Sequence, residues 1–218
     1  MSATLAVMQK DLQLAWRDRA GWMTAAAFAA ISVLTYSFAF DLATQEVRPL
    51  LPGVLWTTFL FAGVFAAGPG FQREVDEGTL DALLVSPVSA TAIFVGKLIS
   101  SLLALVVIEL SLLVAGTILF DERLLTVELV VIVMLGTAGY VSLTTLLGTL
   151  GSGPHTRAVL LPVMALPLLV PLLIAAVRAT GETLGIFGGE APWILLLSVF
   201  ALWSTLTAVI LFPLAVER

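Results

Sequence analysis

Residues 92–120 read "AIFVGKLISSLLALVVIELSLLVAGTILF". In this stretch only Lys97 and Glu109 are ionisable. The run exceeds the roughly 20 apolar residues that a helix needs to cross a bilayer, so it is long enough to tilt or to begin below the membrane. A membrane barrel would instead show alternation over about ten residues. Lipid offers the backbone no hydrogen-bond partners, so a continuous apolar run of this length is read as a transmembrane helix.

The rest of the chain has the same character. Of 218 residues, 60% are hydrophobic and 11% charged, against about 25% charged in an ordinary soluble domain. The mean hydropathy is +1.09. Such a chain has too little polar surface for a water-soluble globule, and the expected class is an all-α integral membrane protein. Six apolar segments are expected at about 21–40, 53–71, 92–120, 127–150, 158–179 and 193–214, in one transmembrane domain covering 1–218. The first exceeds the usual 7–15 residue core of a signal peptide, so cleavage is not expected.

Residues 1–20 are amphipathic, with Leu5, Met8, Leu12 and Trp16 at helical spacing and Lys10, Asp11, Arg17 and Asp18 mostly elsewhere on the wheel. Two readings fit: a helix lying along the membrane surface, or an extension of the first span.

Six spans place Lys10, Arg17, Arg19, Arg73, Lys97, Arg157 and Arg218 on one side and Arg48, Arg123 and Arg178 on the other. The side richer in Lys and Arg is cytoplasmic. Both termini and the connection at 72–91 are therefore expected in the cytoplasm.

That connection contains "REVDEGTLDALLVSPVS", residues 73–89, where charge is concentrated in Arg73, Glu74, Asp76, Glu77 and Asp81. Gly78 suits a helix end. Thr79 can cap a new short helix, with Asp81 in its first turn. Leu80, Leu83 and Leu84 share a face, and Pro87 ends the element. The leucines fit either lipid contact or docking of a cytosolic partner.

Three further features stand out. Glu109 lies 12 residues past Lys97, roughly 18 Å deeper along a helix. It reads either as a group lining a pathway or a subunit interface, or as a carboxyl hydrogen-bonded to a neighbouring helix. Pro162, Pro167 and Pro171 suggest a kinked or broken fifth span. Gly136, Gly139, Gly148, Gly151 and Gly153 suggest close packing or a hinge.

Enzymatic chemistry finds little footing. The chain has no cysteine and one histidine, His155, so neither a thiolate site nor a histidine pair for a metal is available, and no catalytic residue is assigned. The net charge of −5 gives no support for nucleic-acid binding. No G-x-x-x-x-G-K-[ST] motif occurs, so ATP, if used, binds a separate chain.

The segment "EGTLDALLVSPVS" resembles the cytoplasmic coupling segment of type-2 ABC exporter permeases. Together with "PGVLWTTFLFAGVFA", "FQREVDEGTLDALLVSPVSATAIFVGKLISSLL" and "VLLPVMALPLLVPLLIAA", it is similar to the haem exporter protein B (CcmB) family of cytochrome c maturation. The resemblance covers most of residues 50–180. It implies a type-2 ABC exporter-like fold and docking through Arg73–Pro87 onto a cytosolic ATP-binding subunit of the CcmA type. It also implies a second copy of this chain, a haem-handling membrane protein of the CcmC type and a small single-span subunit of the CcmD type. ATP would be held by the partner, haem by the complex rather than by this chain alone. Two alternatives stay open: a type-2 permease for a lipid, glycan or drug, and a non-transporting scaffold that relays ATPase motion to a haem-handling partner.

Overall fold

In the computed structural model, residues 3–17, 19–40, 48–67, 88–150, 154–189 and 191–216 are described. All regular structure among them is helical. The helices are α1 (Ala3–Arg17), α2 (Arg19–Phe40), α3 (Leu51–Ala67), α4 (Ala90–Leu119), α5 (Val127–Leu150), α6 (Pro154–Thr183) and α7 (Trp193–Val216). A 3-10 turn, Arg48–Leu50, leads into α3. Among the described residues, five stretches are long and apolar enough to cross a membrane: Gly21–Ala39, Arg48–Ala66, Ala90–Leu119, Val127–Gly148 and Trp193–Leu214.

The expected spans map onto α2 to α7, with small shifts at the ends. The second expected span continues past the end of α3 into residues 68–71, which lie outside the described residues. The fifth was expected at 158–179, and α6 extends beyond it at both ends. α6 runs on as one helix through Pro162, Pro167 and Pro171, so the span is not broken in two. Pro167 and Pro171 lie on its exposed side. There a lost backbone donor disturbs no inter-helix contact.

Burial shows which faces meet. Along α7, Leu197, Ala201, Ser204, Ala208 and Phe212 point inward, while Leu195, Val199, Leu202, Leu206 and Leu214 are exposed. Both sets follow helical spacing. An outer face this apolar suits lipid rather than water. α5 is the most buried of the candidate spans, and α2 and α7 are the least. α5 packs against α4, α6 and α7, whereas α2 packs mainly on α3.

The long helices alternate in direction. Phe28 on α2 stacks near Phe61 and Phe65 on α3, at 5.9 and 5.1 Å between ring centroids. Phe94, early in α4, meets Phe212, late in α7, at 4.8 Å. At the opposite end of the bundle, the connections before α3, between α4 and α5, and between α6 and α7 come together around Arg48.

α1 is a helix, as expected, and its main partner is α4. The residue that anchors it differs from the sequence pattern. Val7 is buried and Leu5 is largely exposed, because Val7 fits against Gly96, where an added Cβ would stand 2.9 Å from the valine.

Glycines on α5 are where the core closes. A Cβ at Gly136 would stand 2.2 Å from the Trp56 ring, and one at Gly139 would stand 2.4 Å from Leu172. These two positions bear out the reading of close packing. Gly148 faces open space, and Gly151 and Gly153 lie outside the described residues. Gly136→Val should displace Trp56 and cost about 1–3 kcal/mol by overpacking. Gly148→Ala should be neutral or stabilising by up to about 1 kcal/mol. Thermal unfolding in detergent checks both, and equal melting temperatures for the two variants would contradict the packing described.

Candidate functional site

Three polar loci lie along the bundle. The first is at the α1–α4 contact. Ser89 opens α4 in extended conformation (φ −63, ψ 142), and its hydroxyl accepts from the Ala92 N–H. Two turns on, Lys97 is only 3% exposed. Its Nζ lies 3.1 Å from Asp11 Oδ2, and Lys10 reaches the other carboxylate oxygen at 3.3 Å. A lysine on an apolar helix face is costly to bury without a carboxylate, and α1 supplies one. The helical wheel had put Asp11 on the polar side of α1. What turns it inward is a lysine 86 residues away in sequence, a pairing with no local signal.

The second locus is mid-bundle. Glu109 on α4 is 4% exposed, and its Oε2 lies 2.6 Å from Thr137 Oγ1 on α5. The same hydroxyl lies 2.8 Å from the Val133 carbonyl. A hydroxyl has one proton to donate. The Thr137 hydroxyl therefore divides its one proton between the Glu109 carboxyl and the Val133 carbonyl, both within reach. One turn along α5, the buried Tyr140 ring lies against Gly63 of α3, where a Cβ would stand 2.7 Å from it. Glu109 is buried in the chain's own core. The geometry matches a carboxyl held by a neighbouring helix.

Two further bonds join helices. Trp56 Nε1 donates to Thr180 Oγ1 at 2.9 Å, linking α3 to α6 inside the core. Ser142 and Thr205 hydroxyls lie 2.9 Å apart across α5 and α7.

The third locus is at the end opposite Lys97. Arg48 Nε and Nη2 both bond the Glu122 carboxylate, Nη2 at 3.1 Å, and Nη2 also donates to the Leu184 carbonyl at 3.2 Å. This forked pairing is the geometry a guanidinium offers a carboxylate. Orientation counting used Arg48 only as a charge; neither Glu122 nor Leu184 was singled out.

The expected coupling residues, Arg73, Glu74, Asp76, Glu77, Gly78, Thr79, Leu80, Leu83, Leu84 and Pro87, lie outside the described residues. Their frame is described: α3 ends at Ala67, and α4 begins behind Ser89 with α1 clamped across its first turns. The side chains of His155 and Pro162 are not among those described. Among the described residues, no group of three or more His, Cys, Asp or Glu side chains is placed to hold a metal.

Comparison with known proteins places this geometry in context. The family model described as "CcmB protein" matches residues 2–217. "Heme exporter protein B" of Rhodobacter capsulatus is 30% identical over 204 residues, covering 90% of each chain. The protein of that name from Pseudomonas aeruginosa is 25% identical over 207 residues, covering 92% of this chain and 91% of its own. That of Bradyrhizobium diazoefficiens is 27% identical over 192 residues, with 83% and 82% covered.

Two stability predictions follow from the buried pairs. Asp11→Asn should cost up to about 3 kcal/mol, and Asp11→Leu combined with Lys97→Met should recover most of it. A double variant no more stable than Asp11→Asn would contradict the clamp. Glu109→Leu should cost about 0.6 kcal/mol and no more than about 1.7, the range for hydrogen bonds between membrane helices. Glu109→Gln, which keeps a partner for Thr137, should cost less. Both are read from melting temperatures in detergent.

Proposed function

Because the chain belongs to the CcmB family, we propose that it is the membrane permease subunit of an ABC-type complex that supports haem delivery to the periplasm for c-type cytochrome maturation. The observation that carries the reading is the match along nearly the whole chain to relatives named as haem exporter subunits. The chain crosses the inner membrane six times as α2 to α7, in a type-2 ABC exporter-like arrangement with both termini cytoplasmic. α1 lies along the cytoplasmic membrane surface.

The coupling role falls to residues 72–91. ATP is bound by a separate cytosolic subunit of the CcmA type, and two copies of each chain form the core. The CcmC-type haem-handling protein and the CcmD-type single-span protein complete the complex. Leu80, Leu83 and Leu84 supply the apolar anchor in a cleft of the ATPase, and Arg73, Glu74, Asp76 and Glu77 supply charge complementarity. Movement of the segment passes directly into α3 and α4, which flank it. The contacts of α1 with Gly96 and Lys97 keep the first turns of α4 rigid, so a push at Ser89 travels along the helix. The chain itself performs no catalysis in this scheme.

The close fit of Trp56 into Gly136 and of Tyr140 against Gly63 favours a second reading. A core closed by large aromatic rings suits a subunit that relays ATPase motion to a haem-handling partner without carrying haem. Reconstitution with the ATPase in vesicles separates the two: haem appearing across the bilayer favours transport, and haem-stimulated ATP hydrolysis without it favours the relay.

The coupling assignment is tested by Leu83→Asp. The variant should insert in the membrane at normal levels and lose co-purification of the ATP-binding subunit. Retention of that subunit at wild-type stoichiometry would refute the docking role.

A further inference from the structure

We propose that Arg48 is a latch at the non-cytoplasmic end of α3, holding the bundle closed and releasing when the ATPase drives the opposite end of the same helix. The inference rests on the coupling role given above to residues 72–91. It adds a second site, a helix length away, and a way for motion to reach it.

The argument begins with what one guanidinium joins. Arg48 sits in the turn that runs straight into α3 at Leu51. Its fork grips Glu122, in the connection between α4 and α5, and the Leu184 carbonyl, in the connection between α6 and α7. A single side chain therefore ties all three connections at this end.

Both receiving groups are held in place by their own turns. Glu122 stands between the buried anchors Phe120 and Leu124, with Leu124 lying against Gly116. Asp121, just before it, takes a left-handed conformation at φ 52. Leu184 closes the last turn of α6, its N–H donating to the Thr180 carbonyl at 3.0 Å. Gly185 then reverses the chain at φ +65, a conformation that favours glycine. These are fixed seats, and Arg48 is the part that swings in or out of them.

The contact is also suited to opening. The Arg48 and Glu122 side chains keep 27% and 18% of their exposure, so both remain in touch with water when they separate. A part-hydrated ion pair is inexpensive to break compared with a buried one. The next polar tie along α3, beyond the buried Leu51 and Leu55, differs in this respect. Trp56 is buried, its ring seated in the notch at Gly136 and its N–H bonded to Thr180. It lies eight residues after Arg48, roughly 12 Å along the helix, and about midway between Arg48 and Ala67. Trp56 is placed as a fulcrum, with a breakable contact on one arm and the coupling segment on the other. A tilt of α3 imposed at Ala67 swings Arg48 out of its seats.

The test uses the full chain in its complex with the ATP-binding subunit. The natural sequence has no cysteine, so spin labels can be placed on Leu50→Cys and Leu125→Cys, two exposed positions on either side of the latch. The distance between labels is measured without nucleotide and after ATP trapping. The latch predicts a longer distance with ATP. It also predicts that Arg48→Gln or Glu122→Gln shows the longer distance without nucleotide. If the ATPase is bound and hydrolyses ATP while the distance stays unchanged, the latch is overturned and the coupling role stands. If the ATPase does not associate with the chain, the coupling role and the latch fall together. If the distance lengthens with ATP but neither glutamine variant differs from the unsubstituted latch in the nucleotide-free state, Arg48 is not what holds this end closed.

Discussion

A polar group inside an apolar bundle must find its partner within the protein, and the fold is pinned wherever it does so. Lys97 finds Asp11, and this draws α1 onto α4. Glu109 finds Thr137, joining α4 to α5. Trp56 finds Thr180, joining α3 to α6. Ser142 and Thr205 join α5 to α7. The first and last of these pairs lie between helices that also meet at a glycine, Gly96 against Val7 and Gly139 against Phe200 and Ala201. Apolar contacts bring the helices together, and the polar pairs set their register, since a shift of one turn would leave a donor or acceptor in hydrocarbon.

The bundle closes around one helix. α5, with Gly136 and Gly139 on its inner faces, is the centre on which α3, α6 and α7 close. The α2–α3 pair meets the rest of the bundle through both helices on α4 and through α3 on α6, and Trp56 and Tyr140 interlock with glycines across the α3–α5 contact. α3 is also the helix that leads into the segment assigned to ATPase coupling. A subunit that relays motion needs a close-packed core that does not deform, against which such a helix can push.

The long helices were legible in the sequence because hydropathy decides them locally. The bounds of α5 and most of α4 follow from where apolar runs stop. The family was legible through "EGTLDALLVSP" and the segments around it, motifs of residue identities rather than of physics. The polar pairs were not legible. Lys97 and Asp11 are 86 residues apart, and Arg48 and Glu122 are 74 apart. No periodicity links positions so distant. The α1 stripe misled for a related reason: the wheel ranks Leu5 above Val7, but only Val7 meets a glycine that leaves room for it. The three prolines left a bent or a broken span open, and of the two the break is not found: α6 carries two of them on its outer side and stays continuous.

The central claim is that residues 72–91 meet a soluble ATP-binding subunit rather than lipid. The most direct measurement is site-specific photo-cross-linking from position 84 in intact cells, with a photoreactive amino acid in place of Leu84. The account predicts a single cross-linked product containing this chain and an ATP-binding protein of the cytosol. Cross-links to lipid alone, with no protein captured while the chain is inserted in the membrane at normal levels, would contradict it.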